Sequence, residues 1–83
     1  YTVVMPDAIL SSGLSKVMAV GRLASQLSIS VSPHNPCGPR MDIMSAHVAT
    51  ALPVIGAMER QVAESQLYSE IVHTDQHLID GYL

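Results

Sequence analysis

Three polar residues in this chain have side chains and spacings that could do chemistry together: Asp7, His34 and Glu59. They are 27 residues (34 minus 7) and 25 residues (59 minus 34) apart. A carboxylate beside an imidazole fixes its tautomer and stabilises its protonated form. Asp7 next to His34 would therefore make His34 a general acid or base near neutral pH. A second carboxyl group, Glu59, could hydrogen-bond a substrate oxygen that gains negative charge, provided Glu59 is itself protonated or shares a proton. Each residue also has a purely structural explanation. Asp7 could cap the connection that follows it, His34 could merely satisfy hydrogen bonds in a loop, and Glu59 could form a rim salt bridge with Arg60 or Arg40. What they share is an address, since each lies just past the end of a predicted strand.

The elements that must position them read as follows. Tyr1 to Met5 is rich in β-branched and aromatic residues and predicts a buried strand that Pro6 stops. Ala8 to Gly13 is a connection with turn residues Ser11, Ser12 and Gly13. Leu14, Val17, Met18, Gly21 and Ala24 recur at helical spacing, and Val20, Leu23 and Leu27 widen the stripe, which predicts a helix over 14–27. Ser28 to Ser32 predicts a second strand. Strand, helix, strand in that order fits a right-handed crossover and hence a parallel sheet.

The stretch Ser32-Pro33-His34-Asn35-Pro36-Cys37-Gly38-Pro39 follows, with three of the five prolines and the only cysteine. Prolines bracketing His34 restrict its backbone and predict a stiff loop. Gly38-Pro39 opens a second helix, with Met41, Met44, Val48, Ala51 and Leu52 as its apolar face and Pro53 at its end. Val54 to Met58 predicts a third strand, ending at Glu59. The pattern weakens from Arg60 onward. Gln66 to His73 suits a short helix or strand, and His77 to Leu83 suits a strand interrupted by an Asp-Gly turn.

The resulting fold class is α/β. The spacings fit a β/α barrel, in which each strand–helix unit takes roughly 30 residues and the strand C-termini open on one face. Asp7, His34 and Glu59 would converge on that face.

Composition narrows the partners. The formal net charge is −3 with only four basic residues, which argues against nucleic acid and anionic membranes. Hydrophobic residues make up 48% of the chain without any Phe or Trp, so the core should be aliphatic, with Met5, Met18, Met41, Met44 and Met58 as fillers. One cysteine permits no internal disulfide and points to a reducing, cytoplasmic setting. It also disfavours zinc, whose sites commonly use several paired Cys and His ligands. Cys37 reads as a loop filler, His47 as a packed or helix-surface residue, and His73 and His77 as solvated. No apolar run approaches a membrane span. The chain opens directly on a strand-like run and closes on a turn signal, so it is expected to be a piece of something larger.

Val4-Met5-Pro6-Asp7, Gly13, the Ala-containing helix, Ser32-Pro33-His34-Asn35-Pro36, Gly38-Pro39, Ser45-Ala46-His47 and Glu59 together resemble the enolase superfamily. The resemblance is to its mandelate racemase branch and the acid-sugar dehydratases within it, and it covers residues 1–83. It implies a partial TIM-like barrel: the last three strands, with their connecting helices, of a modified barrel of eight strands and seven helices. Residues 60–83 would begin the return toward a separate lid domain.

The resemblance further implies that Asp7 and His34 form a dyad with His34 as general acid/base, and that Glu59 stabilises an enolate, both His34 and Glu59 contacting substrate. The implied reaction is a Mg²⁺-dependent dehydration of an aldonate-type acid sugar. It would proceed by proton abstraction next to a carboxylate, an enediolate and loss of a β-hydroxyl, with a racemase or epimerase of the same branch as the alternative. Asp7, where the muconate-lactonising branch has a lysine, favours the mandelate racemase branch. The metal ligands belong to earlier strands, so no residue of this segment is expected to bind metal. The 83-residue chain alone should be inactive, a catalytically incomplete barrel segment. Its partners would be the acid-sugar substrate, the N-terminal lid domain and early barrel strands, and further copies in a homo-oligomer. The chain departs from the family in having Ser12-Gly13 for the usual Gly-Gly, and in carrying charge at Arg40 and Asp42.

Overall fold

A computed structural model describes residues 2–36, 38–61, 65–73 and 79–80. The order of elements is β1 (Val3–Val4), α1 (Leu14–Gln26), β2 (Ser30–Val31), α2 (Gly38–Ala51) and α3 (Leu67–Ile71). The strands β1 and β2 pair in parallel, Val3 with Ser30 and Val4 with Val31, joined by the α1 crossover. The predicted strands over 1–5 and 28–32 are thus shorter than expected, and Tyr1 lies outside the described residues. Pro6, with no N–H, cannot donate to the ladder. At the second strand, the helix end consumes the first residues. Ile29 N–H donates to Ala24 C=O at 2.9 Å and Ser28 N–H to Ser25 C=O at 3.3 Å, while Ser28 takes φ +55°. This is the left-handed helix stop that glycine usually supplies.

The register outlasts the strands. Ser30, Ser32 and His34 donate their N–H groups to the carbonyls of Thr2, Val4 and Pro6, each at 3.0 Å, and Asp7 bridges His34 in parallel. Asp7 and His34 therefore stand in the same register as Val4 and Val31, and their sequence spacing is the strand register itself.

The third predicted strand, Val54 to Met58, is reduced to one bridge between Val31 and Ile55. Val31 N–H donates to Val54 C=O at 2.9 Å and Gly56 N–H to Val31 C=O at 3.1 Å. Gly56 and Ala57 offer little side chain to pack on a sheet, and pairing stops there.

The core consists of Ala8, Val17, Ala24, Val31, Met41, Val48 and Leu52, with Val4, Met18, Ile29, Met44, Val54 and Ile55 packed against it. Gly21 lets α1 approach α2's end, since a Cβ there would fall on the Leu52 side chain. The predicted apolar faces are only partly buried. Leu14, Val20, Leu23 and Leu27 on the α1 side, Ala51 on α2, and Met5 are exposed. A helical stripe says which residues share a face, not how wide a neighbour covers it. The second helix starts with Gly38 at φ +77°, where a Cβ would lie 3.2 Å from the Tyr68 ring. Within 66–73, Leu67–Ile71 forms the short helix α3. The strand predicted over 77–83 lies mostly outside the described residues, as do Cys37 and His77.

Candidate active site

Asp7 is placed by its own connection as well as by the sheet. Its Oδ1 accepts the N–H groups of Ile9 (2.7 Å) and Leu10 (2.8 Å), an Asx-type turn that starts the 8–13 loop. Its Oδ2 accepts a hydrogen bond from His34 Nδ1–H at 2.9 Å. The cap and the dyad are thus both present, one on each oxygen. Burial raises the Asp7 pKa. The Leu10 N–H, the His34 hydrogen bond, the Ile9 N–H and the attraction of the His34 ring outweigh that, and hold the carboxyl below its ordinary value. Asp7 is an anion at neutral pH, so the imidazole proton sits on Nδ1.

That leaves His34 Nε2 facing outward, with the side chain 38% exposed. Glu59 approaches from the other side, its Oε2 4.0 Å from Nε2. This is ion-pair range but beyond a hydrogen bond. Glu59 is in register with Asn35 rather than His34: Asn35 N–H donates to Glu59 Oε2 at 2.9 Å, and Asn35 Nδ2 to the Glu59 carbonyl at 2.9 Å. The rim salt bridge expected between Glu59 and Arg60 or Arg40 does not occur among the described residues. Arg60 instead binds Asp42, through Nε at 3.0 Å and Nη2 at 2.6 Å.

Sequence reasoning missed Asn35, Asp42 and Arg60 as a unit. Asn35 Nδ2 also donates to Asp42 Oδ1, and both residues are buried. The available signal was a charged residue at position 42 on a face whose neighbours are Met41, Ser45 and Val48. His47 and His73 are exposed and stand apart from the site.

Among the described residues, no group of three His, Cys, Asp or Glu side chains could hold a metal ion. The donor chemistry agrees, because both oxygens of Asp7 and of Asp42 are already committed to protein donors. The described residues do not fit a Mg²⁺ site. No helix among the described residues is long and apolar enough to cross a membrane.

Two parallel strands joined by a crossover helix, with an Asp–His contact just past their ends, are consistent with a segment of an α/β barrel. The family model described as enolase C-terminal domain-like matches residues 1–83, and the chain belongs to that family. Comparison with curated proteins and with solved structures returned no match. Enolase superfamily members are generally enzymes, lyases and racemases among them, and generally use Mg²⁺.

Proposed function

We propose that this chain is the C-terminal segment of a hydro-lyase of the mandelate racemase branch, which dehydrates an aldonate-type acid sugar. The observation that carries the reading is the 2.9 Å contact between Asp7 Oδ2 and His34 Nδ1 at neighbouring parallel strand ends. Asp at position 7 supports the branch, because a carboxylate there tunes an imidazole where a lysine would act as a base itself.

The geometry supports the following division of labour. Asp7 holds the His34 ring and its Nδ1 proton, and compensates the charge when the ring is protonated. His34 Nε2 is the reacting nitrogen. As a base it takes a proton from carbon, and as an acid it gives that proton to the departing β-hydroxyl, which leaves as water. Glu59, reached from His34 Nε2 across 4.0 Å, contacts the same substrate and stabilises negative charge on its oxygen when it carries a proton. Mg²⁺ would be held by residues outside this segment. The early barrel strands and an N-terminal lid domain complete the pocket, with residues 60–83 beginning the return to that lid. The full-length enzyme is a cytoplasmic homo-oligomer, and the 83 residues alone do not turn over substrate.

The test is His34→Asn in the full-length enzyme, with α-keto acid formation followed over a panel of aldonates and Mg²⁺ affinity measured by calorimetry. Turnover should disappear while metal affinity stays nearly unchanged. Retained turnover would overturn the role of His34. Epimerised aldonate in place of keto acid would make the enzyme a racemase or epimerase of the same branch.

A further inference from the structure

Glu59 has no strand to hold it. Backbone pairing with β2 ends at the Gly56 N–H bond to Val31 C=O, and among the described residues 57–59 make no further backbone–backbone hydrogen bond. A closed circuit of side chains takes over, centred on Asp42 in the second turn of α2. Asp42 is 4% exposed. Its Oδ2 accepts both Arg60 contacts, and its Oδ1 accepts from Asn35 Nδ2. Asn35 in turn donates to the Glu59 carbonyl and, through its backbone N–H, to Glu59 Oε2. Arg60 directly follows Glu59 in the chain, and Asn35 directly follows His34. One buried carboxylate thus grips the neighbours of both proposed catalytic residues.

We infer that Asp42 and Arg60 are a positioning pair that sets the Glu59 carboxylate against the His34 ring. The inference rests on the acid–base reading of His34 and Glu59. Stability alone is a poor reason for this arrangement. An ion pair with Asp42 buried and Arg60 30% exposed sets a desolvation cost against a partly screened attraction, and gains little net stability. The circuit also leaves Asn35 Oδ1 buried without a hydrogen-bond partner, a desolvation cost that packing would avoid. What the circuit provides is direction. The guanidinium fork and the planar amide each fix an angle as well as a distance, which apolar contacts do not.

Asn35 is the only asparagine in the 83 residues, so ¹⁵N-asparagine labelling of this chain gives one backbone amide and one side-chain NH₂. Glu59→Gln should shift the Asn35 backbone amide resonance, because that N–H donates to Glu59 Oε2. In an Arg60→Met background the same substitution should no longer shift it, with partial recovery in Arg60→Lys. Asp42→Asn provides a second route to the same loss, keeping an acceptor for Asn35 while removing the charge that holds Arg60. An amide insensitive to Glu59 in the wild type, or a response unchanged in both Arg60→Met and Asp42→Asn, overturns the inference.

In the full-length enzyme, Arg60→Met should lower kcat about tenfold with a smaller change in KM, the scale of loss expected from a displaced catalytic group. Combined with Glu59→Gln it should cost nothing further, because both act through one carboxylate. Losses that multiply would overturn it. The labelling experiment needs no turnover, so its outcome separates a failure of this inference from a failure of the dehydratase reading, which His34→Asn tests.

Discussion

Asp7 and Glu59 are two carboxylates beside one imidazole, yet the molecule places them by opposite means. Asp7 sits in a continuous parallel register, with backbone bonds from Ser30, Ser32 and His34 along the pairing and two N–H groups of its own loop on Oδ1. Glu59 follows a segment that pairs with the sheet at a single bridge, and is then held through Asn35, Asp42 and Arg60. Backbone groups are present whatever the side chains are, so the Asp7 arrangement tolerates sequence change around it. The Glu59 arrangement depends on three particular side chains, and each is a point at which its aim can be altered. The side with the tighter contact to His34, 2.9 Å against 4.0 Å, is the one built by backbone.

Substitutions can test that contrast, beginning with the largest effect. Asp7→Ala removes a turn cap and a charged hydrogen bond together, and should cost about 3 kcal/mol in urea unfolding. Asn35→Ala, on the other side, should cost about 1.5 kcal/mol, because it loses two donor contacts but also abolishes the orphaned Oδ1. Equal losses would erase the distinction between a placement that is also structural and one that is not.

Acid should weaken the Asp7 side in a defined direction. The Asp7 carboxyl is held below its ordinary pKa in the folded chain, so its contribution is fully present above the ordinary carboxylate value. It is then lost as pH falls through the depressed folded value. Stability measured against pH should show that acid-side decline in the wild type and a flatter profile in Asp7→Asn. The smallest effects belong to the two loops that deliver the register. Ser12 and Ser28 adopt φ +64° and +55°, which a side chain tolerates poorly. Ser12→Gly and Ser28→Gly should each raise the urea midpoint, by about 0.5–1 kcal/mol of stability, without moving Asp7 or His34. A loss of stability in either would mean that the serine side chain contributes more than the backbone strain costs.

Much of this was legible in the chain. Pro6 and Pro33 mark where strand character stops, and Asp7 and His34 stand immediately after them. Helical spacing of Val17, Gly21 and Ala24 located the crossover, and Gly38-Pro39 located the start of α2. Other readings failed for reasons that a linear pattern does not carry. Leu23 and Leu27 belong to an apolar stripe, yet they are exposed because α2 and β2 cover only the narrower band from Val17 to Ala24. Val54 to Met58 has strand-like ends, but Gly56 and Ala57 between them leave a single bridge. Ser12, read as a departure from Gly-Gly, turned out to occupy a left-handed position itself, so the backbone shape persists at an energetic cost.

The sequence alone therefore pointed to the parallel crossover and put Asp7 and His34 at successive strand ends, because helical period and proline stops are local rules. That the two side chains meet was implied only by the family resemblance, and the fold brings them to 2.9 Å. Folding settled the place of Glu59. Its neighbour in register is Asn35, and its position depends on Arg60 reaching back 18 residues to a buried Asp42. Contacts between side chains distant along the chain obey no period, so nothing in the spacing of Asp42, Asn35 and Arg60 announces that they meet.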